Sequence, residues 1–380
     1  MTSPLVLKNA RIVLPDEIVE GWIAIADGKI VDFGCGAGPQ TGDDVNGDLI
    51  LPGLVELHTD HLEQHLRPRP KVNWPHASAI IAFDAQIASS GITTVFDCVR
   101  AGNDADYTPQ REEVAKVVAT IERAREKDLL RADHRIHVRC EICADDVLAE
   151  TEKVARGHHV DLISLMDHTP GARQFTSLDA WRTYYGGKSG LPRHDLDRLI
   201  ASKHEQFTRN YQAHRNALVA LARENSIVLA SHDDATREHV DESIEDAVSI
   251  AEFPTSIEAA RLSHAAGIQV LMGAPNVVRG GSHSGNIAAE ALAREGYLDI
   301  LSSDYVPASL LLGAFDLARR IEGYGLARAL RTVTCNPARA AGLDDRGIIE
   351  VGKRADLVRV EMVDDAPIVR AVYREGRRVV

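Results

Sequence analysis

The segment His58-Thr59-Asp60 holds the residue types best suited to chemistry. On an extended strand, residues two apart share a face, so the histidine and the carboxylate can grip one cation together. Histidines and carboxylates recur at the ends of later apolar runs: Glu141, then Asp167 and His168, then His232 with Asp233 and Asp234, then Asp304. One such histidine usually makes a loop hydrogen bond. The same placement after several runs points instead to a metal centre. Mixed His, Asp and Glu donors suit zinc, with manganese or iron also compatible, as one ion or two. Asp304 fits two chemical roles, metal ligand or general base toward a water, and also the plain role of a helix cap. The division of labour among Asp60, Asp233 and Asp234 stays open.

Two segments could hold an anion. Arg67-Pro68-Arg69-Pro70-Lys71 clusters three cations just beyond the first run, and Arg173 and Lys188 could join them. Arginine is the residue type for bidentate phosphate contact. The segment from Gly273 to Asn286 carries Asn276, Arg279, Gly280, Gly281 and His283. Its glycines permit close backbone approach, and it is expected to open a helix whose free N–H groups favour an anion. Cys140 and Cys143 flank Glu141 in a strand pattern that turns their thiols to opposite sides, which argues against a cysteine metal pair.

These residues need a scaffold that gathers run ends. Between residues 51 and 340, apolar runs alternate with helical patterns, which predicts parallel strands with helical crossovers. The predicted strands are Leu54–His58, Thr94–Asp97, His137–Glu141, Leu162–Met166, Ile227–Ser231, Val248–Ala251, Gln269–Met272 and Asp299–Ser303. Helices are expected over Glu112–Lys127, Asp195–Asn225 and Gly285–Arg294, and a mobile loop over Tyr184–Arg193. Eight strand–helix units close a (β/α)₈ barrel, whose active site lies at the strands' C-terminal ends.

Short strands with turns occupy both ends of the chain: Leu5–Val13, Gly21–Ala26 and Lys29–Phe33, then Gly347–Glu350, Asp356–Glu361, Ile368–Tyr373 and Arg377–Val380. Asp27-Gly28 marks a hairpin. The expected organisation is an α/β chain: a barrel over 51–344 and a small β-sandwich domain built from 1–50 plus 345–380.

The 380 residues, 44% hydrophobic and 26% charged, are ordinary globular composition and suffice for a barrel plus a smaller domain. A net charge of −13 argues against nucleic-acid or membrane-surface binding. It allows an anionic small molecule, because a metal ion reverses the local field. Five scattered cysteines suggest a reducing cytoplasm rather than a disulfide framework. The start of the chain shows no signal peptide, and no apolar run reaches the ~20 residues of a membrane span. A homo-oligomer is left open.

Leu51-Pro-Gly-Leu-Val-Glu-Leu-His58-Thr-Asp60 resembles the opening of the amidohydrolase superfamily, where His-x-His is usual. Asn336-Pro-Ala-Arg339 and Gly347 through Val358 resemble that superfamily's return to its β-domain. Within it, His58 through Pro70, Leu165 through Gly171, Ser231 through Thr236, Gly273 through Asn286 and Leu301 through Pro307 are similar to the diphosphatases of phosphonate catabolism, essentially end to end. The resemblance implies hydrolysis of α-D-ribose 1-methylphosphonate 5-triphosphate to the 5-phosphate and pyrophosphate. It also implies that His58, Asp60, Glu141, His168, His232 and Asp304 hold the metal, with Asp60 replacing the usual second histidine and Glu141 in a bridging position. Asp304 would be the catalytic base. Two other readings are a deaminase or amide hydrolase, disfavoured by the basic segments, and a non-catalytic pathway scaffold, disfavoured by the intact strand-end set.

Overall fold

The computed structural model describes residues 5–69, 72–102, 111–174, 177–282 and 285–380. Lys71, His283 and the Lys188 side chain, all expected at the substrate site, lie outside the described residues.

The first strands are β1 (Leu5–Val13), β2 (Ile18–Ala26), β3 (Lys29–Cys35), β4 (Asp43–Asp44) and β5 (Leu49–Pro52). Eight more alternate with helices: β6 (Leu54–Thr59), β7 (Ile92–Ala101), β8 (Asp133–Glu141), β9 (Leu162–Met166), β10 (Val228–His232), β11 (Ile250–Glu252), β12 (Gln269–Gly273) and β13 (Ile300–Ser302). The chain finishes with β14 (Leu357–Val363), β15 (Ala366–Arg374) and β16 (Arg377–Arg378).

The terminal strands form one sheet in the order β16-β15-β14-β5-β1-β2-β3, with β4 beside β1. Antiparallel pairing of Leu357 with Pro52 and Val358 with Leu51 joins the two ends of the chain. Asp27 and Gly28, at φ +50° and +78°, turn β2 into β3 as the two-residue hairpin that their types favour. Leu7, Ile12, Ile23, Ile30, Ile50, Leu357 and Tyr373 share one buried cluster, so strands from both ends of the sheet order enclose a common core. Gly347–Glu350 is not a strand. Gly347 sits at φ +83°, where an added Cβ would lie 2.9 Å from the backbone at Thr334 and Cys335, so that stretch threads past a helix start instead of pairing.

The second sheet is parallel, in the order β6 through β13. It closes on itself, because Asp304, just after β13, bridges to Thr59 at the end of β6. This is the expected barrel. β7 and β8 run longer than their apolar cores because buried charges extend them. His134 on β8 lies between Asp97 on β7 and Asp84 on the helix His76–Ser89, and all three are fully buried. The expected mobile loop is instead largely helical. A helix spans Leu178–Ser189, closes at Gly190 (φ +67°), and is followed by a helix over Arg193–Glu224. Trp181 stacks on Tyr185 at 4.3 Å and packs against Leu196 and Ile200, which outweighs two glycines. The expected Gly285–Arg294 helix starts only at Ala289. No helix among the described residues is long and apolar enough to cross a membrane.

Contacts divide the chain into two units. One holds residues 1–97, 123–135 and 272–380, and the other holds 98–122 and 136–271.

Candidate active site

In the first unit, the expected residues gather around the ends of β6 and β13. Glu56 is fully buried on β6. It accepts hydrogen bonds from the His58 amide at 2.6 Å and the Ser303 amide at 2.5 Å. Burial pushes its carboxyl up to about 7, against the opposing pull of Ser303 and His58. Asp304 adopts φ +53°, a region few side chains other than Asn and Asp enter readily. Its amide donates to the His58 carbonyl at 3.1 Å, and its carbonyl accepts from the Asp60 amide at 2.9 Å and the Thr59 hydroxyl at 3.1 Å. His58 is buried, and Asp60 precedes the short helix His61–Leu66. His61 engages the Tyr305 carbonyl at 3.1 Å and the Gln86 amide at 2.9 Å.

Of the two anion segments, Arg67 is half-buried and Arg69 exposed. The helix after β12 begins at once, over Ala274–Arg279, with Pro275 in its first turn removing one N–H donor. The glycines therefore follow this helix rather than precede it, with Gly280 as its left-handed cap at φ +80° and Gly281 at φ +153°. Asn276 accepts from the Ala289 amide at 2.9 Å and donates to the Ile287 carbonyl at 3.3 Å, so it staples the segment's far end. Arg279 is exposed.

In the second unit, Glu141, His168, His232 and Asp233 stand together. Glu141 accepts from the His168 amide at 3.2 Å and meets the His168 Nδ1 at 2.6 Å. His232 Nδ1 lies 2.9 Å from the Asp233 carboxylate, and the His168 and His232 rings are 5.6 Å apart, edge to face. One ligand atom from each of His168, His232 and Asp233 falls within 4.8 Å of the others. Burial holds His232 below its ordinary pKa, which favours the neutral imidazole a metal requires. Burial alone would raise Asp233, but His232 and His168 outweigh it and keep the carboxyl ionised. Two imidazoles and a carboxylate are a fitting donor set for a divalent ion. Asp233, at φ +56°, repeats the left-handed strand-end geometry of Asp304.

Sequence reasoning missed a polar chain in this unit. Cys98 lies 3.3 Å from His137, His137 contacts the Ser164 hydroxyl, and Ser164 donates to Glu252 at 2.7 Å. β11 is not adjacent to β9 or β8, so this chain crosses the barrel interior. The available signal was a carboxylate inside an apolar run, at Glu252 as at Glu56. Arg173, expected to meet substrate, is instead buried at 2% exposure among Asp234, Glu242 and Tyr211. Cys140 and Cys143 contact different partners, Thr151 and Asp167, and burial raises both thiols, Cys140 to about 12.

An amidohydrolase family model matches residues 76–380. The chain belongs to the amidohydrolase family. The α-D-ribose 1-methylphosphonate 5-triphosphate diphosphatase of Escherichia coli is 45% identical over 99% of this chain and 100% of its own length. Among solved structures, the amidohydrolase barrel recurs in N-isopropylammelide isopropylaminohydrolase from Burkholderia multivorans. It has TM-score 0.68 and 18% identity, over 99% of this chain and 98% of that one. An N-acetyl-D-glucosamine-6-phosphate deacetylase from Mycobacterium smegmatis matches with TM-score 0.65 and 18% identity over 100% of both chains. At that identity these two structures support the fold alone.

Proposed function

We propose that this amidohydrolase hydrolyses α-D-ribose 1-methylphosphonate 5-triphosphate to the 5-phosphate and pyrophosphate. The observation that carries the reading is the full-length 45% identity to the Escherichia coli diphosphatase. The strand-end histidines and carboxylates supply the machinery that such chemistry needs.

His58, Asp60, Glu141, His168, His232 and Asp304 are the proposed metal residues, and the geometry adds Asp233. Zinc fits these donors, with manganese or iron as chemical alternatives. Such an ion, when bound, polarises phosphoryl oxygens and makes water more acidic. Asp304 removes the proton from the attacking water. Its backbone, bonded to His58 and Asp60, holds the carboxylate at the strand end. Glu141, set against both the ring and the amide of His168, fixes that ring's orientation. Arg67, Arg69, Lys71, Lys188, Arg279 and His283 are the cations we assign to the triphosphate, with Asn276, Gly280 and Gly281 shaping one wall. The five free cysteines fit a reducing cytoplasm.

The test is a ³¹P NMR product assay in ¹⁸O-labelled water with metal analysis of the same sample. Pyrophosphate should appear with the sugar 5-phosphate, in proportion to bound metal. Ammonia release from an amine or amide substrate, with no pyrophosphate from the triphosphate, would overturn the reading.

A further inference from the structure

Arg173 follows His168 by five residues, and Asp234 follows His232 by two. Each therefore sits on the same strand-end segment as a proposed metal residue. Their side chains meet: Arg173 donates through Nη1 to Asp234, and the two are 2% and 1% exposed. The other arm of the guanidinium donates to the Tyr211 hydroxyl and to Glu242, each at 3.0 Å. Tyr211 itself donates to Glu242 at 2.7 Å. Asp234 is equally committed, accepting from Ser231 at 2.6 Å and Ser243 at 3.1 Å through its second oxygen.

Both segments are stiff between the ion pair and the histidines. After β9, the Thr169 amide donates to Asp167 at 3.0 Å and the Ala172 amide to the Thr169 carbonyl at 3.0 Å, closing a turn between His168 and Arg173. After β10, the bond from Ser231 to Asp234 brackets His232 and Asp233. The Asp233 amide donates to the Glu252 carbonyl at 2.9 Å, and the Thr255 amide to the Asp234 carbonyl at 2.9 Å. A shift in the Arg173–Asp234 contact must therefore move His168 relative to His232 and Asp233.

We infer that Arg173 and Asp234 are positioning residues that set the separation of His168 from His232 and Asp233. The inference rests on the proposed reading that these three residues hold a metal ion. An arginine free to bind phosphate would present an open fork, whereas both arms of Arg173 meet protein acceptors and almost none of it reaches solvent. A planar fork spanning a carboxylate on one side and a phenol–carboxylate pair on the other is also a job a lysine cannot copy.

The experiment compares wild type with Arg173→Lys, Arg173→Met, Asp234→Asn and the milder Ser243→Ala. Three quantities are read. They are the zinc dissociation constant of the apoprotein against a chromophoric chelator, kcat and KM for the triphosphate, and Tm in metal-free buffer. Positioning predicts that Arg173→Lys and Asp234→Asn both weaken zinc binding by about 10–100-fold, the range seen when groups behind metal ligands are removed. It also predicts that kcat falls with little change in KM, and that Arg173→Met is no better than Arg173→Lys. Ser243→Ala should give a smaller loss of the same kind while staying folded. Unchanged zinc affinity in Asp234→Asn and Ser243→Ala overturns the inference. So does a rise in KM confined to the Arg173 variants, which would return Arg173 to substrate binding. Wild-type apoprotein that takes up no zinc would instead overturn the reading of the site itself, and His168→Ala distinguishes the cases because it must lose zinc whatever Arg173 does.

Discussion

The Asp304 amide donates to the His58 carbonyl at 3.1 Å, and the Asp304 carbonyl receives the Asp60 amide at 2.9 Å. The last strand end of the barrel is thereby laced to the first through main-chain groups. Both bonds run through the Asp304 main chain, so they do not depend on the chemistry of its side chain.

Asp304→Asn should leave these main-chain bonds, and with them the closure of the barrel, in place. If the carboxylate is the general base, kcat should fall by about 10²–10⁴-fold. Metal content, measured by elemental analysis, should stay near normal. Full activity would remove Asp304 from the mechanism, and loss of metal would recast it as chiefly a ligand.

Glu141 meets His168 at both ring and amide, at 2.6 and 3.2 Å. In Glu141→Gln the amide oxygen can still accept one of these bonds, but the amide nitrogen opposes the other donor. The His168 ring should then lose its fixed orientation, and because Glu141 is also one of the proposed metal residues, zinc affinity should drop by about 10-fold or more. Chelator competition on the apoprotein measures this directly. An unaltered dissociation constant would show that His168 does not depend on this carboxylate.

The barrel was readable because each strand is an apolar run with a polar end, as at Leu162–Met166, where expected and observed limits coincide. Readability failed where burial and polarity part company. Asp97 and His134 end the apolar runs of β7 and β8 in sequence, yet the strands continue because the two charges neutralise each other inside. Glu56 and Glu252 were overlooked for the same reason: a carboxylate within an apolar run reads as an interruption until its partners are seen. Arg173 shows the converse. Its charge suggested an anion site, but only three-dimensional packing reveals that Asp234 and Glu242 already satisfy it.

His134 gives a pH signature. Burial alone would lower its pKa, but the Asp97 and Asp84 carboxylates outweigh burial and push it up to about 9 from an ordinary 6.5. A folded pKa above the unfolded one stabilises the protein fully below about pH 6.5, and that contribution is lost as pH rises through 9. Urea unfolding of wild type should therefore show stability declining from neutral to alkaline pH. His134→Gln should be less stable at pH 6 and should approach wild type near pH 10. A gap between the two proteins that stays constant over this range would contradict the ion-paired imidazolium.

Arg346 is 4% exposed at its side chain and donates to Asp133 at 2.5 Å, Thr94 at 3.0 Å and Asp345 at 2.7 Å. It thus pins the segment entering the terminal sheet to the starts of β7 and β8. Burial would raise the Asp133 carboxyl, but Arg346, then Arg135 and Arg354, outweigh it and hold it well below the usual range. Arg346→Met removes the strongest of these partners and leaves a mostly buried carboxylate short of charge. Breaking such a pair costs about 3–5 kcal/mol, and the remaining Arg354 contact at 3.3 Å should keep the loss toward the lower end. Adding Asp133→Asn to that variant should recover part of the loss, because the orphaned charge is gone. Urea unfolding at pH 7 reads both values. A single variant within a few tenths of a kcal/mol of wild type would mean that the ion pair contributes no more than an exposed one.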